Sequence, residues 1–151
     1  PREMGTSWWR VDQFMREMAS LQEPLAKASP PKNKTEEQNA DLLYNKTIYR
    51  FLTLAGVMGH YIGDASQPLH NTADYDGWAA GHGGLHTFYE STVVAELDGD
   101  VSHLILKEAR KLKTASWLKG TTLEKMRRFS QISFDELPQL LKLDPIAQRS
   151  E

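Results

Sequence analysis

Between Gly59 and Glu90 the chain sets four of its five histidines among several carboxylates, in the run GHYIGDASQPLHNTADYDGWAAGHGGLHTFYE. His60 and Asp64 are four residues apart, and so are His86 and Glu90. Residues four apart on a helix share a face, so each pair presents an imidazole and a carboxylate to one point. His70 lies between the pairs, two residues after Pro68. Neutral imidazole nitrogen and carboxylate oxygen are together a donor set for a divalent metal ion, and zinc suits the mixture best. The same spacing also describes ordinary ion pairs on a helix surface. Clustering of the pairs within one short stretch, beside Gly56, Gly59 and Gly63, favours the metal reading. His82, in a glycine-rich loop, and His103, on the polar side of a helix, read as structural. Asp74 and Asp76 read as turn residues, with support of a ligating histidine as the lesser reading.

The elements that must position these groups follow from apolar periodicity and capping signals. Thr6 or Ser7 caps a first helix through Val11, Phe14, Met15 and Met18, ending before Pro24. Residues 24–34, with three prolines, predict a connector. Thr35 and Gln38 form a capping-box pattern that opens a long helix over 36–65, with a stripe at Tyr44, Ile48, Phe51, Leu52, Ala55 and Ile62. At about 100° per residue, Gly56, Gly59 and Gly63 fall together beside that stripe, with His60 and Asp64 just beyond. Glycine weakens a helix, so the stripe predicts compensation from another helix in close approach. Pro68 ends the helix, and 71–84 reads as a loop holding Tyr75 and Trp78. A further helix starts near Leu85 and carries His86, Tyr89, Glu90, Val93 and Leu97 up to Asp98 and Gly99. Asp100 then caps Val101, Leu104, Ile105, Ala109 and Leu112, Thr121 and Glu124 make a second capping box, and Leu137, Leu140 and Leu141 suggest a last short helix. No segment alternates as a strand does. The expected fold is an all-α, single-domain helical bundle over 1–151, with its metal-site core at 55–97.

Composition sets outer bounds. A chain of 151 residues, 40% hydrophobic and 25% charged, is ordinary for a globular domain. The net charge of −2 argues against a broad basic surface for nucleic acid. No apolar run is long enough for a transmembrane helix, no signal peptide is visible at the start, and the absence of cysteine excludes thiolate zinc sites and disulfides.

The motif His60-Tyr-Ile-Gly-Asp64-Ala-Ser-Gln67-Pro68-Leu69-His70 resembles the H-x-x-G-D-x-x-Q-P-x-H signature of the zinc-dependent phospholipase C and S1/P1 nuclease superfamily. His86-x-x-x-Glu90 is similar to that family's next ligand pair. The resemblance spans about residues 55–90 and implies the family's all-α fold, up to three zinc ions and hydrolysis of phosphodiesters by metal-activated water. By position it implies that Asp64 bridges two metals beside His60, and that His70, His86 and Glu90 hold the other zinc. Glu90 in the last ligand position, and Gly83-Gly84-Leu85 where nucleases commonly have Gly-Gly-Asn, are more similar to the phospholipase branch. Family members are typically secreted or periplasmic, and they take further ligands from upstream. Residues 1–59 hold no histidine, and their only aspartates are Asp12 and Asp41. The resemblance therefore implies either that the chain corresponds to the C-terminal two-thirds of a family-type domain or that it is a degenerate relative with fewer metals.

The leading expectation is a zinc-dependent phosphodiesterase acting on a phosphodiester substrate, either a phospholipid headgroup or nucleic acid. A zinc-binding structural or binding module of the same fold, without catalysis, is the alternative. A plain helical bundle with His–carboxylate ion pairs is the third. Oligomeric state is not legible in the sequence.

Overall fold

Every regular element among the described residues is helical, and none is a strand, as the apolar periodicity implies. The computed structural model describes residues 6–97, 99–111 and 119–145. The chain divides into two compact units, Pro1–Asp64 and Ala65–Glu151.

In the first unit, α1 (Ser7–Ser20) buries Val11 and Met18, with Leu21 just beyond its end. A short α2 (Gln22–Lys27) follows where a connector was expected, and the two helices pack together. Pro24 is tolerated because it sits in the first turn of α2, where a backbone N–H has no intrahelical acceptor. The ring of Phe14 in α1 stands 5.8 Å from that of Tyr61 in α4 (Leu43–Ser66).

The single helix expected over 36–65 is instead α3 (Lys34–Glu37), a break, and α4. Asparagine side chains decide this. Asn33 Oδ1 accepts from the Glu36 N–H at 3.0 Å and so caps α3 two residues earlier than the Thr35 pattern suggests. Asn45, buried at the start of α4, donates its amide to the Glu36, Glu37 and Asn39 carbonyls at 2.6, 3.2 and 2.9 Å. The Glu36 and Asn39 carbonyls also accept from the Asn39 and Leu42 N–H groups at 3.1 and 3.2 Å, and Asn45 adds a second donor to them where α3 ends.

The glycine stripe of α4 also departs from expectation. No neighbour among the described residues lies within 4 Å of the point where a Cβ would stand at Gly56, Gly59 or Gly63. Among the described residues, no helix makes the close approach predicted against this face. No helix among the described residues is long and apolar enough to cross a membrane.

The second unit is built on a 3-10 turn, Pro68–Asn71, against which α7 (Thr122–Asp135) and α8 (Leu137–Leu143) both pack. Pro68 opens the turn, and Asn71 donates its amide to the Ala65 and Gln67 carbonyls at 3.0 and 2.9 Å, closing the end of α4. The capping box at Thr121 and Glu124 forms as read from the sequence. Between these elements lie α5 (Leu85–Thr87), a π-helical turn over Phe88–Val93, and α6 (Val101–Lys111), which begins at the Asp100 cap. Asp98 and Leu112, expected to break one helix and extend the next, lie outside the described residues. Among the described residues, the two largest side chains withdrawn fully from water are Leu69 and Leu85.

Candidate metal centre

Each of those two leucines is followed by a histidine. Leu69 is 0% exposed and precedes His70, and Leu85 is 1% exposed and precedes His86. A buried leucine anchors its own backbone, so the next residue leaves the core from a fixed point. The two imidazoles meet with Nε2 atoms 2.9 Å apart. Glu90 Oε1 lies 3.2 Å from His70 Nε2 and 3.1 Å from His86 Nε2. The structure thus brings together three of the five expected ligands, all within the second unit.

The edges of this triangle can be tested against a bound ion. Donors about 2.0–2.1 Å from one metal, separated by angles between octahedral and tetrahedral values, stand roughly 2.9–3.4 Å from each other. The observed edges of 2.9, 3.1 and 3.2 Å fall in that interval. The side chains of His70, His86 and Glu90 are 28%, 21% and 42% exposed, which leaves an ion a route from solvent.

The groups behind the triangle set its chemistry. His86 Nδ1 lies 3.0 Å from the Tyr75 carbonyl oxygen. A carbonyl only accepts, so Nδ1 carries the proton, and in the neutral ring Nε2 offers a lone pair toward the cluster. Gln67, which is 6% exposed, donates from Nε2 to Glu90 Oε1 at 3.1 Å. Its own Oε1 accepts from the Leu69 N–H, so the amide cannot turn over without losing both bonds.

The loop over 71–84 holds His86 from its other side. Asp76 accepts from the N–H groups of Gly84 and His86 at 3.3 and 3.2 Å, which satisfies donors at the start of α5. Asp74 accepts from Ala79 and Ala80 at 3.1 and 3.0 Å. Both are turn-forming, as their sequence context implies. Gly77 adopts φ +78°, and a Cβ there would stand 2.8 Å from the His82 carbonyl oxygen. At Gly83 a Cβ would lie 2.3 Å from the Trp78 ring, so the ring covers bare backbone.

His60 and Asp64 belong to the first unit, where Nε2 and Oδ2 face each other at 3.5 Å along α4. His103, read as structural, is exposed on α6 and donates its backbone N–H to Asp100. His82 has a partner that no local spacing announces: its Nδ1 is 2.8 Å from Oδ2 of Asp144, whose side chain is 0% exposed. Gln67 lay inside the sequence motif without a role assigned to it. A backbone carbonyl such as that of Tyr75 leaves no mark in sequence at all.

No family profile and no solved structure matches the chain. A probable serine protease of Bradyrhizobium tropiciagri is 35% identical over an alignment of 81 residues, which covers 42% of this chain and 10% of that protein. The chain therefore spans about a tenth of the length of the curated relative it matches. This finding overturns the expected activity, because the relative is named as a protease, a hydrolase class different from a zinc-dependent phosphodiesterase. The physical reason is that His70, His86 and Glu90 form a group that could hold an ion, whereas the bond attacked by any such ion is chosen by groups outside the motif.

Proposed function

We propose that this chain is a metal-binding helical module in which His70, His86 and Glu90 hold one divalent cation, with zinc the ion their donors favour. The observation that carries this reading is the convergence of two imidazole Nε2 atoms and one carboxylate oxygen within 3.2 Å of each other. Two protonated imidazoles would bring two N–H donors and two positive charges head to head across 2.9 Å, so a doubly charged ion-pair cluster fits the arrangement poorly. A cation satisfies all three atoms at once. The resemblance of residues 55–90 to the phospholipase C and S1/P1 superfamily supports the same ligand positions, and we propose that kinship for the site rather than for its reaction.

When bound, such an ion supplies Lewis acidity and a cross-link between separated parts of the chain. The chain's own contribution is legible in the second role. His70 stands on the 3-10 turn, and His86 and Glu90 stand on the helical segment after the loop. An ion joining them binds the folded chain in preference to the unfolded one, which raises stability by mass action.

The test is calorimetric titration of chelator-stripped protein with zinc, accompanied by elemental analysis. One zinc per chain is expected at this triad, with binding abolished in both His70→Ala and His86→Ala and a rise in melting temperature on zinc addition. Binding indifferent to both substitutions, or no binding at all, refutes the assignment.

A further inference from the structure

Asp144 is a carboxylate removed from water, and the three ligands of the proposed site make no use of it. It caps the C-terminal end of α8 and lies 62 residues from His82, whose Nδ1–H it accepts at 2.8 Å. Taking a carboxylate fully out of water is costly unless a charge-assisted hydrogen bond compensates, so this pair is a firm anchor point.

What the anchor holds is the segment that aims His86. The backbone N–H of His82 donates to the Gly77 carbonyl at 2.7 Å, and its carbonyl accepts from Leu85 at 3.1 Å. Gly77 follows Asp76, whose carboxylate receives the His86 N–H. Leu85 immediately precedes His86. Two short paths therefore run from the Asp144 carboxylate, through His82, to the backbone of a proposed metal ligand. The same C-terminal segment reaches the other histidine as well, because α8 packs against the turn Pro68–Asn71 that carries His70.

We infer that Asp144 and His82 are positioning residues for the metal site: a clasp from the C-terminal segment that sets the loop behind His86 and thereby tunes metal affinity. This rests on the reading of His70, His86 and Glu90 as metal ligands, and it assigns no donor role to His82. Outer partners of metal ligands commonly contribute ten- to a hundredfold in affinity. Acting one step further out, Asp144 and His82 belong at the lower end, about tenfold.

The experiment titrates the full chain with zinc against a competing chelator and follows cobalt(II) d–d absorption in parallel. Circular dichroism in chelator checks that each variant is folded. Asp144→Ala and His82→Ala are each expected to weaken zinc about tenfold and to alter the cobalt spectrum. The double variant should be no worse than either single one, since both break the same contact. His82→Asn is expected to stay within about threefold of the parent, because the asparagine amide can donate to Asp144 from the place of Nδ1. Should Asp144→Ala fail to fold, Asp144→Asn decides, with a threefold or greater loss expected from removing the charge.

Alanine variants that bind zinc within about twofold of the parent, with an unchanged cobalt spectrum, overturn the clasp while leaving the metal site standing. Complete loss of zinc in His82→Asn also overturns it, by making His82 a ligand. Failure of the parent chain to bind zinc is a separate result and removes the metal reading itself.

Discussion

Replacing Gln67 by methionine removes two hydrogen bonds while nearly preserving side-chain length and volume. In the native chain Gln67 is 6% exposed, accepts from the Leu69 N–H and donates to Glu90 Oε1 at 3.1 Å. Leu69 is fully buried, so its N–H would be left without a partner in a dry environment, at about 1–3 kcal/mol. The bond to Glu90 contributes less, because that carboxylate is 42% exposed and water can replace the amide there, at about 0.5–1 kcal/mol. Methionine restores most of the packing, so the cavity cost is small. The sum is about 1.5–4 kcal/mol lost in the absence of metal. Metal affinity should fall about tenfold as well, since Glu90 loses the group that orients it. Urea denaturation followed by circular dichroism in chelator reads the first quantity, and zinc titration reads the second. A stability loss below about 1 kcal/mol together with unchanged affinity would refute the idea that Gln67 joins the core to the site.

Leu85→Ala should cost about 2–5 kcal/mol, because Leu85 is 1% exposed, whereas Leu106→Ala on the exposed side of α6 should stay within about 0.5 kcal/mol; urea midpoints compare them. The Glu124 carboxyl is held below the usual glutamate range, first by the Thr121 backbone N–H and then by the Thr121 side chain. Its folded-state value lies below its unfolded one, so the stabilisation is present above the unfolded value and is lost as pH falls through the folded one. Thermal melts across the acid range should show this decline in the parent and a flatter profile in Glu124→Gln. The Glu108 carboxyl is also lowered, first by its hydrogen bond to Lys111, and this fully exposed contribution should weaken further in high salt.

The parts of the fold that could be read in advance were those specified locally. α1, α7 and α8 follow apolar spacing at 3.6 residues per turn, and the Thr121–Glu124 box needs only four consecutive residues to close. What escaped sequence reading depends on contacts across longer separations. The break between α3 and α4 exists because Asn45 reaches back to carbonyls six to nine residues earlier, where helical periodicity has no term for it. The glycine stripe is a permissive feature: it allows a close neighbour without creating one, and among the described residues none approaches. The π-helical turn that carries Glu90 is likewise invisible in a pattern that treats the segment as an ordinary helix.

The candidate site divides along the same line. Donor identities are local, so spacing could pair His86 with Glu90, and only the resemblance added His70 to that pair; in the structure the three meet because the buried Leu69 and Leu85 fix where the two histidine-bearing segments leave the core. The supporting groups are a buried amide from the turn, a main-chain carbonyl and a carboxylate from the loop, and, further out, Asp144 from the end of α8. Each lies in a different stretch of chain from the ligand it steadies, so the motif records the donors and leaves out most of what aims them. The same asymmetry explains why activity was the expectation that failed. A spacing of histidines and carboxylates constrains which ion can sit between them, and it is nearly silent about the bond that ion would act on, because substrate contacts need not share a helix, a turn or a period with the ligands.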